Sequence, residues 1–141
     1  MSMTIHVDIV SAEGQLFSGT GEMVYVPAVM GEVGIAPRHT PFISQIKPGD
    51  VRVENAGEQM HFYVSGGMVE VQPHMVTVLA DTAIRANDLD EAAVIEAKKR
   101  AEDALQNQQS DFEYAKAKAE LAEAVAQLRA IQNIRKGKKS S

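Results

Sequence analysis

Apolar and polar positions alternate along the first part of the chain. Ile5, Val7 and Ile9 share one face of residues 3–10, a period of two that predicts a strand. Gly14-Gln15 breaks that run, and EMVYV over residues 22–26 predicts a second strand closed by Pro27. The stretch from Gly31 to Pro37 is punctuated by glycine and proline and reads as a shaped loop. Residues 42–46 run into the turn signal Lys47-Pro48-Gly49. Residues 51–54 and 60–64 flank Ala56-Gly57-Glu58 as a hairpin, and 68–71 and 75–79 continue the pattern. Short strands about eight to twelve residues apart, with no helix between them, predict a small β-sandwich or barrel. It ends near Ala86-Asn87.

Beyond that point the period changes. Asp88 with Glu91 three residues on has the form of a capping box, and Ala92, Ala93, Ala97, Ala101 and Ala104 follow. A polar break, Asn107 to Asp111, offers Ser110 or Asp111 as the cap of a second helix with Ala115, Ala119, Ala122 and Ala126. The pattern predicts an antiparallel helical hairpin. A buried methyl contributes about 0.8 kcal/mol, against about 1.5–3 kcal/mol for a Leu, Ile or Phe side chain. Larger residues are thinly spread here (Leu89, Ile95, Leu105, Phe112, Leu121, Val125, Leu128, Ile131). Two readings stand: an arm that is firmly helical but loosely docked, or a sealed alanine seam that never opens.

Charge sharpens the arm more than the sandwich. Of the 141 residues 45% are hydrophobic and 23% charged, with a net charge of −5. Up to Arg85 acids dominate, with only Arg38, Lys47, Arg52 and Arg85 as bases. After Glu123 no acid appears, while Arg129, Arg135, Lys136, Lys138 and Lys139 do. This is either a solvated helix end favoured by the dipole or a surface for an acidic partner. An acidic sandwich, and a basic tail without interleaved aromatics, speak against nucleic acid. Residues 1–10 do not resemble a signal peptide, and no run approaches the roughly 20 apolar residues of a membrane helix, so membrane insertion is not expected.

Catalytic chemistry is not apparent. The chain has no cysteine and no phosphate-binding Gly-Lys loop. His6, His39, His61 and His74 are far apart with no second ligand at zinc spacing, so no metal is expected. His6 and His61 fall out of phase with their strands' apolar residues and read as solvent-facing. Ser65 before Gly66-Gly67 reads as a turn, not a nucleophile. The 31–39 segment, with Val33 and Ile35 in a rigid frame beside Glu32, Arg38 and His39, reads either as a contact loop or as a cover for the sandwich end.

The run GEVGIAPRHTP from Gly31 to Pro41, with IKPG at 46–49, SGG at 65–67, EVQP at 70–73 and VTVLADTAIR at 76–85, strongly resembles the epsilon subunits of bacterial F-type ATP synthases. The match continues through LDEA at 89–92 and AQLR at 126–129. The resemblance implies an α+β chain: a ten-stranded β-sandwich over 1–86, a two-helix antiparallel hairpin over 87–136, and a disordered basic tail over 137–141. It implies a non-catalytic, peripheral subunit at the cytoplasmic face of the bacterial inner membrane, bound to the gamma subunit and the ring of c subunits. Glu32, Gly34, Ile35, Pro37, Arg38 and His39 correspond to the ring-contacting loop. The hairpin would act as a brake on ATP hydrolysis, extending toward the alpha and beta subunits with Arg129, Arg135 and Lys136 against acidic beta residues. The family's ATP motif on the hairpin is degenerate here: Leu89, Asp90, Ala93 and Val94 are present, but Ala93 replaces its arginine. No cofactor is expected, and ATP binding should be weak or absent. A stand-alone adaptor with a helical binding arm is the alternative from the residues alone; a ligand-binding or enzymatic sandwich using His39 or His61 is a third.

Overall fold

The computed structural model describes residues 3–107 and 110–139, with side chains as far as Arg135. Ten strands form first: β1 (Ile5–Ser11), β2 (Gly14–Gly21), β3 (Met23–Ala28), β4 (Gly31–Ile35), β5 (Phe42–Ile46), β6 (Gly49–Asn55), β7 (Glu58–Val64), β8 (Gly67–Gln72), β9 (Met75–Ala80) and β10 (Ala83–Arg85). They hydrogen-bond in the order β10-β7-β6-β3-β5-β8-β9-β1-β2, with β4 paired to β3. A single pair, Ala28↔Ile46, joins the half containing β3, β6 and β7 to the half containing β5, β8 and β9. The inward side chains of the two halves meet in one aliphatic core that includes Val7, Ile9, Val24, Val53, Val69 and Val78. This is the expected ten-stranded sandwich.

Three strands were not read from the alternation. β2 has two half-buried apolar residues, Leu16 and Phe17, among glycines and polar residues. Its extended form comes from pairing with β1 across Ile5↔Gly21 to Ser11↔Gly14. β4 lies in the segment expected to be a loop; its glycines pair with β3 from Val24↔Ile35 to Ala28↔Gly31, so partner hydrogen bonds override weak strand propensity. β10 is only three residues long and is held by β7. The β6–β7 turn is a two-residue loop with positive φ at Ala56 (54°) and Gly57 (81°), the twist-matched form for a hairpin.

A 3₁₀ turn (Ala86–Asp88) leads into α1 (Glu91–Gln106) and α2 (Asp111–Lys139). The cap of α1 is Asp90, whose carboxylate accepts from the Ala93 N–H at 3.3 Å, so Asp88 belongs to the preceding turn and not to the helix cap. Ser110 caps α2 by accepting from the Glu113 N–H at 3.1 Å. Residues 137–139, expected in a disordered tail, continue α2; lysine is a good helix former, and cations suit a helix C-terminus. The rest of that expected tail, residues 140 and 141, lies outside the described residues.

The helical contacts are built on alanine, but largely on other alanines than those the pattern singled out: Ala92, Ala93, Ala104, Ala115, Ala119 and Ala122 face outward. Val94 and Ala101 on α1, and Ala117 and Ala124 on α2, are buried at seven-residue spacing along the hairpin. A different face of α2, Ala126, Ala130 and Ile134 at four-residue spacing, packs with Tyr63, Ile84, Ala86 and Leu89 on the sandwich. α2 therefore touches α1, β6, β7 and the 3₁₀ turn, and the arm lies docked.

Candidate functional site

Three surfaces carry the chemistry. The first is the β3–β4 hairpin and the loop after it. Glu32, half exposed, accepts from Arg52 Nη2 at 2.6 Å, and the Arg52 guanidinium lies 4.5 Å from the centroid of the Tyr25 ring. Ile35 is fully buried in the core and is a structural anchor, not a contact surface. Gly34 is exposed on β4, packed so closely that an added Cβ would lie 3.2 Å from the Tyr25 ring. Pro37, Arg38 and His39 follow at the far end of β4. There the Arg38 N–H donates to the Pro73 carbonyl at 2.8 Å, and Arg38 adopts a left-handed φ of 67°. His39 Nδ1 donates to the Thr40 carbonyl at 2.7 Å. Glu32 lies near the start of β4, Ile35 ends the strand about 10 Å on at about 3.3 Å per residue, and His39 follows a turn closed by its N–H to the Ala36 carbonyl, so the expected contact loop is part strand and part turn. At the Glu32 end the turn presents Val29, 50% exposed, and Met30, 94% exposed. Neither was singled out in the sequence; the signal was a pair of large apolar residues directly before Gly31.

The second surface is the outer face of β5, β8, β9 and β1. Ile43, Met68 and Leu79 are exposed, and the register Gln45↔Met68, Met68↔Leu79 and Val10↔Leu79 places them on neighbouring strands. An outward face of a sandwich is ordinarily polar. The signal lay in the alternation itself: these residues are apolar in the phase that should face water.

The third surface is beneath the arm. Asp50 and Tyr63 are cross-strand partners, and His61 pairs with Arg52 two residues along, on the same face. His61 Nδ1 donates to Asp50 Oδ2 at 3.0 Å, and Asn133 on α2 donates to the same oxygen at 3.2 Å. The His61 side chain is only 7% exposed, which corrects the solvent-facing assignment; α2 covers the outer face of its sheet. His6 stays at the surface, bonded to Asp8 at 2.9 Å. Asp50 Oδ1 and the Tyr63 hydroxyl are buried without a protein hydrogen-bond partner among the described residues. Each such orphan costs about 1–3 kcal/mol relative to a solvated state. Burial, and secondarily the charge of Glu123, push the Tyr63 phenol well above its ordinary range, so it stays a neutral hydroxyl.

The remaining arm residues have mixed fates. Arg135, expected to meet an acidic partner when the arm extends, is ion-paired with Glu91 at the start of α1 while the arm lies docked. Arg129 is exposed, and the side chain of Lys136 lies outside the described residues. Of the degenerate ATP motif, Leu89 packs on Tyr63 and Ala86, Asp90 caps α1, Ala93 is exposed and Val94 is buried. A groove between the helices is lined by Ala97, Arg100, Glu120, Glu123, Ala124 and Gln127. No group of three or more His, Asp or Glu side chains among the described residues is arranged to hold a metal. No described helix is long and apolar enough to cross a membrane.

Comparison with known proteins accounts for both halves. Residues 4–86 match the ATP synthase delta/epsilon chain β-sandwich domain, and residues 87–132 the long α-helix domain of the same chain. The ATP synthase epsilon chain of Nitrosococcus oceani is 64% identical over 137 residues, covering 96% of this chain and 98% of that one. ATP synthase epsilon chain 1 of Methylococcus capsulatus is 61% identical over 139 residues, covering 98% and 99%. A chain in the cryo-EM structure of Euglena gracilis mitochondrial ATP synthase (OSCP/F1/c-ring, rotational state 1) has the same fold, with a TM-score of 0.83 at 18% identity over 91% of this chain and 81% of that one. A sandwich and a helical hairpin matched in order, and relatives this similar over nearly their whole length, show that the chain belongs to the ATP synthase delta/epsilon family, among its epsilon chains.

Proposed function

We propose that the chain is a non-catalytic central-stalk subunit that links the gamma subunit to the c-subunit ring and carries a brake on ATP hydrolysis in its helical arm. The observation that carries the reading is the apolar outer face of β5, β8 and β9. Ile43 is 67% exposed, a side chain that a free-standing domain has no reason to keep in water. Gamma covers this face. The β3–β4 tip, with Val29, Met30 and Glu32, meets the ring, while Pro37, Arg38 and His39 lie outside that contact. Glu32 enters it already paired with Arg52, so it presents a hydrogen-bonded carboxylate and not a bare charge. The sandwich itself supplies rigid geometry between two partners. Held this way, the chain lies at the cytoplasmic face of the bacterial inner membrane without entering it.

Ile43→Glu and Leu79→Glu test the gamma face. Each places a charge where an apolar contact is buried on assembly, and each leaves the core untouched. The expected outcome is an unchanged melting temperature and a loss of about tenfold or more in affinity for gamma, on the order of 1.4 kcal/mol or greater. Normal copurification of both variants with gamma would overturn the assignment of this face, and failure of the unaltered chain to copurify with gamma would favour the adaptor reading.

ATP is not expected to control this arm. The Asp90 carboxylate is occupied as the cap of α1, Ala93 contributes no cation, and in the groove between the helices the two carboxylates of Glu120 and Glu123 outnumber the one cation, Arg100, so a phosphate meets net negative charge. Calorimetry on the isolated chain should give a dissociation constant of about 1 mM or weaker, equivalent to roughly −4.1 kcal/mol. Micromolar affinity would overturn this.

A further inference from the structure

The apolar part of the docking interface supplies attraction but little definition. Ala126 and Ala130 are small, with Ile134 the larger side chain beside them, so a largely smooth helix face meets Tyr63, Ile84 and Ala86. Positioned against it is a polar group of unusual burial for this protein. Asp50 and His61 are 10% and 7% exposed, and Asn133 bonds to the carboxylate they share. The same site leaves Asp50 Oδ1 and the Tyr63 hydroxyl without protein partners. All four polar groups would meet water if α2 lifted away.

We propose that Asp50, His61 and Asn133 form a polar latch that defines where the arm docks while keeping the docked state easy to leave. The hydrogen bond from Asn133 is available only in the docked position, so it selects that position over other placements of the alanine face. Buried polar pairs commonly specify geometry at the expense of affinity, as a single buried asparagine does in coiled coils. The two unpartnered oxygens act in the same direction: docking strips them of water and returns nothing for it. The charged and titratable groups that face the latch are Arg52 on β6, cross-strand from His61, Tyr63 on β7, cross-strand from Asp50, and Glu123 on α2, which faces Tyr63. Arg52 Nη2 is engaged with Glu32, and its Nε is a third buried atom without a partner among the described residues. The latch concerns the movement of the arm on its own sandwich; it is regulatory only insofar as the proposed brake is correct.

Two sets of substitutions push the latch in opposite directions. Asn133→Asp sets a second carboxylate against Asp50 and should raise the undocked-to-docked ratio about tenfold or more. The double-leucine variant Asp50→Leu with Asn133→Leu, made in a His61→Leu background that removes the imidazole Asp50 would otherwise leave unpartnered, replaces the polar contact by an apolar one and should lower that ratio by about tenfold. The chain has no cysteine, so spin labels at Thr20→Cys and Gln132→Cys report the arm-to-sandwich distance in the full-length protein without further changes. Circular dichroism checks that both domains remain folded. A longer distance for Asn133→Asp, and for the double-leucine variant a larger docked fraction spread over a broader range of docked distances, support the latch. Wild-type distances for Asn133→Asp, or a smaller docked fraction in the double-leucine variant, overturn it. The readout is docking in the isolated chain, so an arm that obeys these changes without affecting ATP hydrolysis would refute the brake and leave the latch standing.

Discussion

Removing residues 88–141 is expected to leave an assembled, coupled complex whose ATP hydrolysis is about tenfold faster, the ratio that follows if about nine in ten complexes are braked. The sandwich core contains no residue of either helix, so the truncated chain keeps the packing that folds it. Its loss is confined to the patch where Ala126, Ala130 and Ile134 covered Tyr63, Ile84 and Ala86 on the sandwich. That patch lies on the face opposite the core, away from Ile43 and Leu79, so binding to gamma should be unaffected. The arm is a good candidate for a moving part because its contact with the sandwich is small and partly polar. A few aliphatic groups at about 0.8 kcal/mol per buried methylene are set against two orphaned oxygens, which leaves docked and released states within reach of a partner's binding energy. The measurement is steady-state hydrolysis by complexes rebuilt with full-length and truncated chains. Equal rates would remove the brake from this protein.

Replacing Gly67 by alanine should be far more damaging to the fold than any single change in the arm. Gly67 has φ +137°, a region closed to side-chain-bearing residues, and begins β8 between Ile46 and Ala80. A Cβ there would stand 2.1 Å from the Leu79 carbonyl oxygen and 2.9 Å from the Ala80 Cα. Both are backbone atoms of the neighbouring strand, so neither can rotate aside. Strained backbone of this type costs about 1–3 kcal/mol before any clash is added. With the clash, a loss of about 4 kcal/mol or more is expected, a large share of the roughly 5–15 kcal/mol that stabilises a domain. Gly66 is the internal control: its φ is +125°, but its nearest neighbours would be 3.5 Å from a Cβ, so Gly66→Ala should show the strain alone. Thermal unfolding of the two variants distinguishes strain from clash. A Gly67→Ala protein melting within a few degrees of wild type would mean that β8 and β9 can separate without loss of the fold.

Much of this protein was legible in one dimension because its elements repeat short periods. Ile5, Val7 and Ile9 announce a strand, and Ser110 marks the start of a second alanine-rich helix, although the alanines that line its seam, Ala117 and Ala124, were not the ones the pattern picked out. The resemblance of the run from Gly31 to Pro41 and of the motifs after it carried the family. The same means failed where local propensity is weak and a partner strand decides. β2 and β4 are glycine-rich and become strands because β1 and β3 offer their backbone hydrogen bonds. Period-two reasoning also assigns a residue to one side of a sheet without saying what lies on that side. His61 was correctly placed off the core and wrongly given to water.

Residue pattern was therefore enough for seven of the ten strands, the helical hairpin, the boundary near Ala86, the alanine character of the arm and, through its motifs, the family. Those follow from side-chain periodicity, capping and motif order, all of which are local along the chain. Only the tertiary structure decided that Glu32 lies in β4 and His39 in the turn after it, that Ile43, Met68 and Leu79 form one exposed face, and that Asn133 reaches Asp50 across 83 positions. These are relations between elements, set by strand register and by the face of α2 that turns toward the sandwich. No periodicity within a single element encodes them.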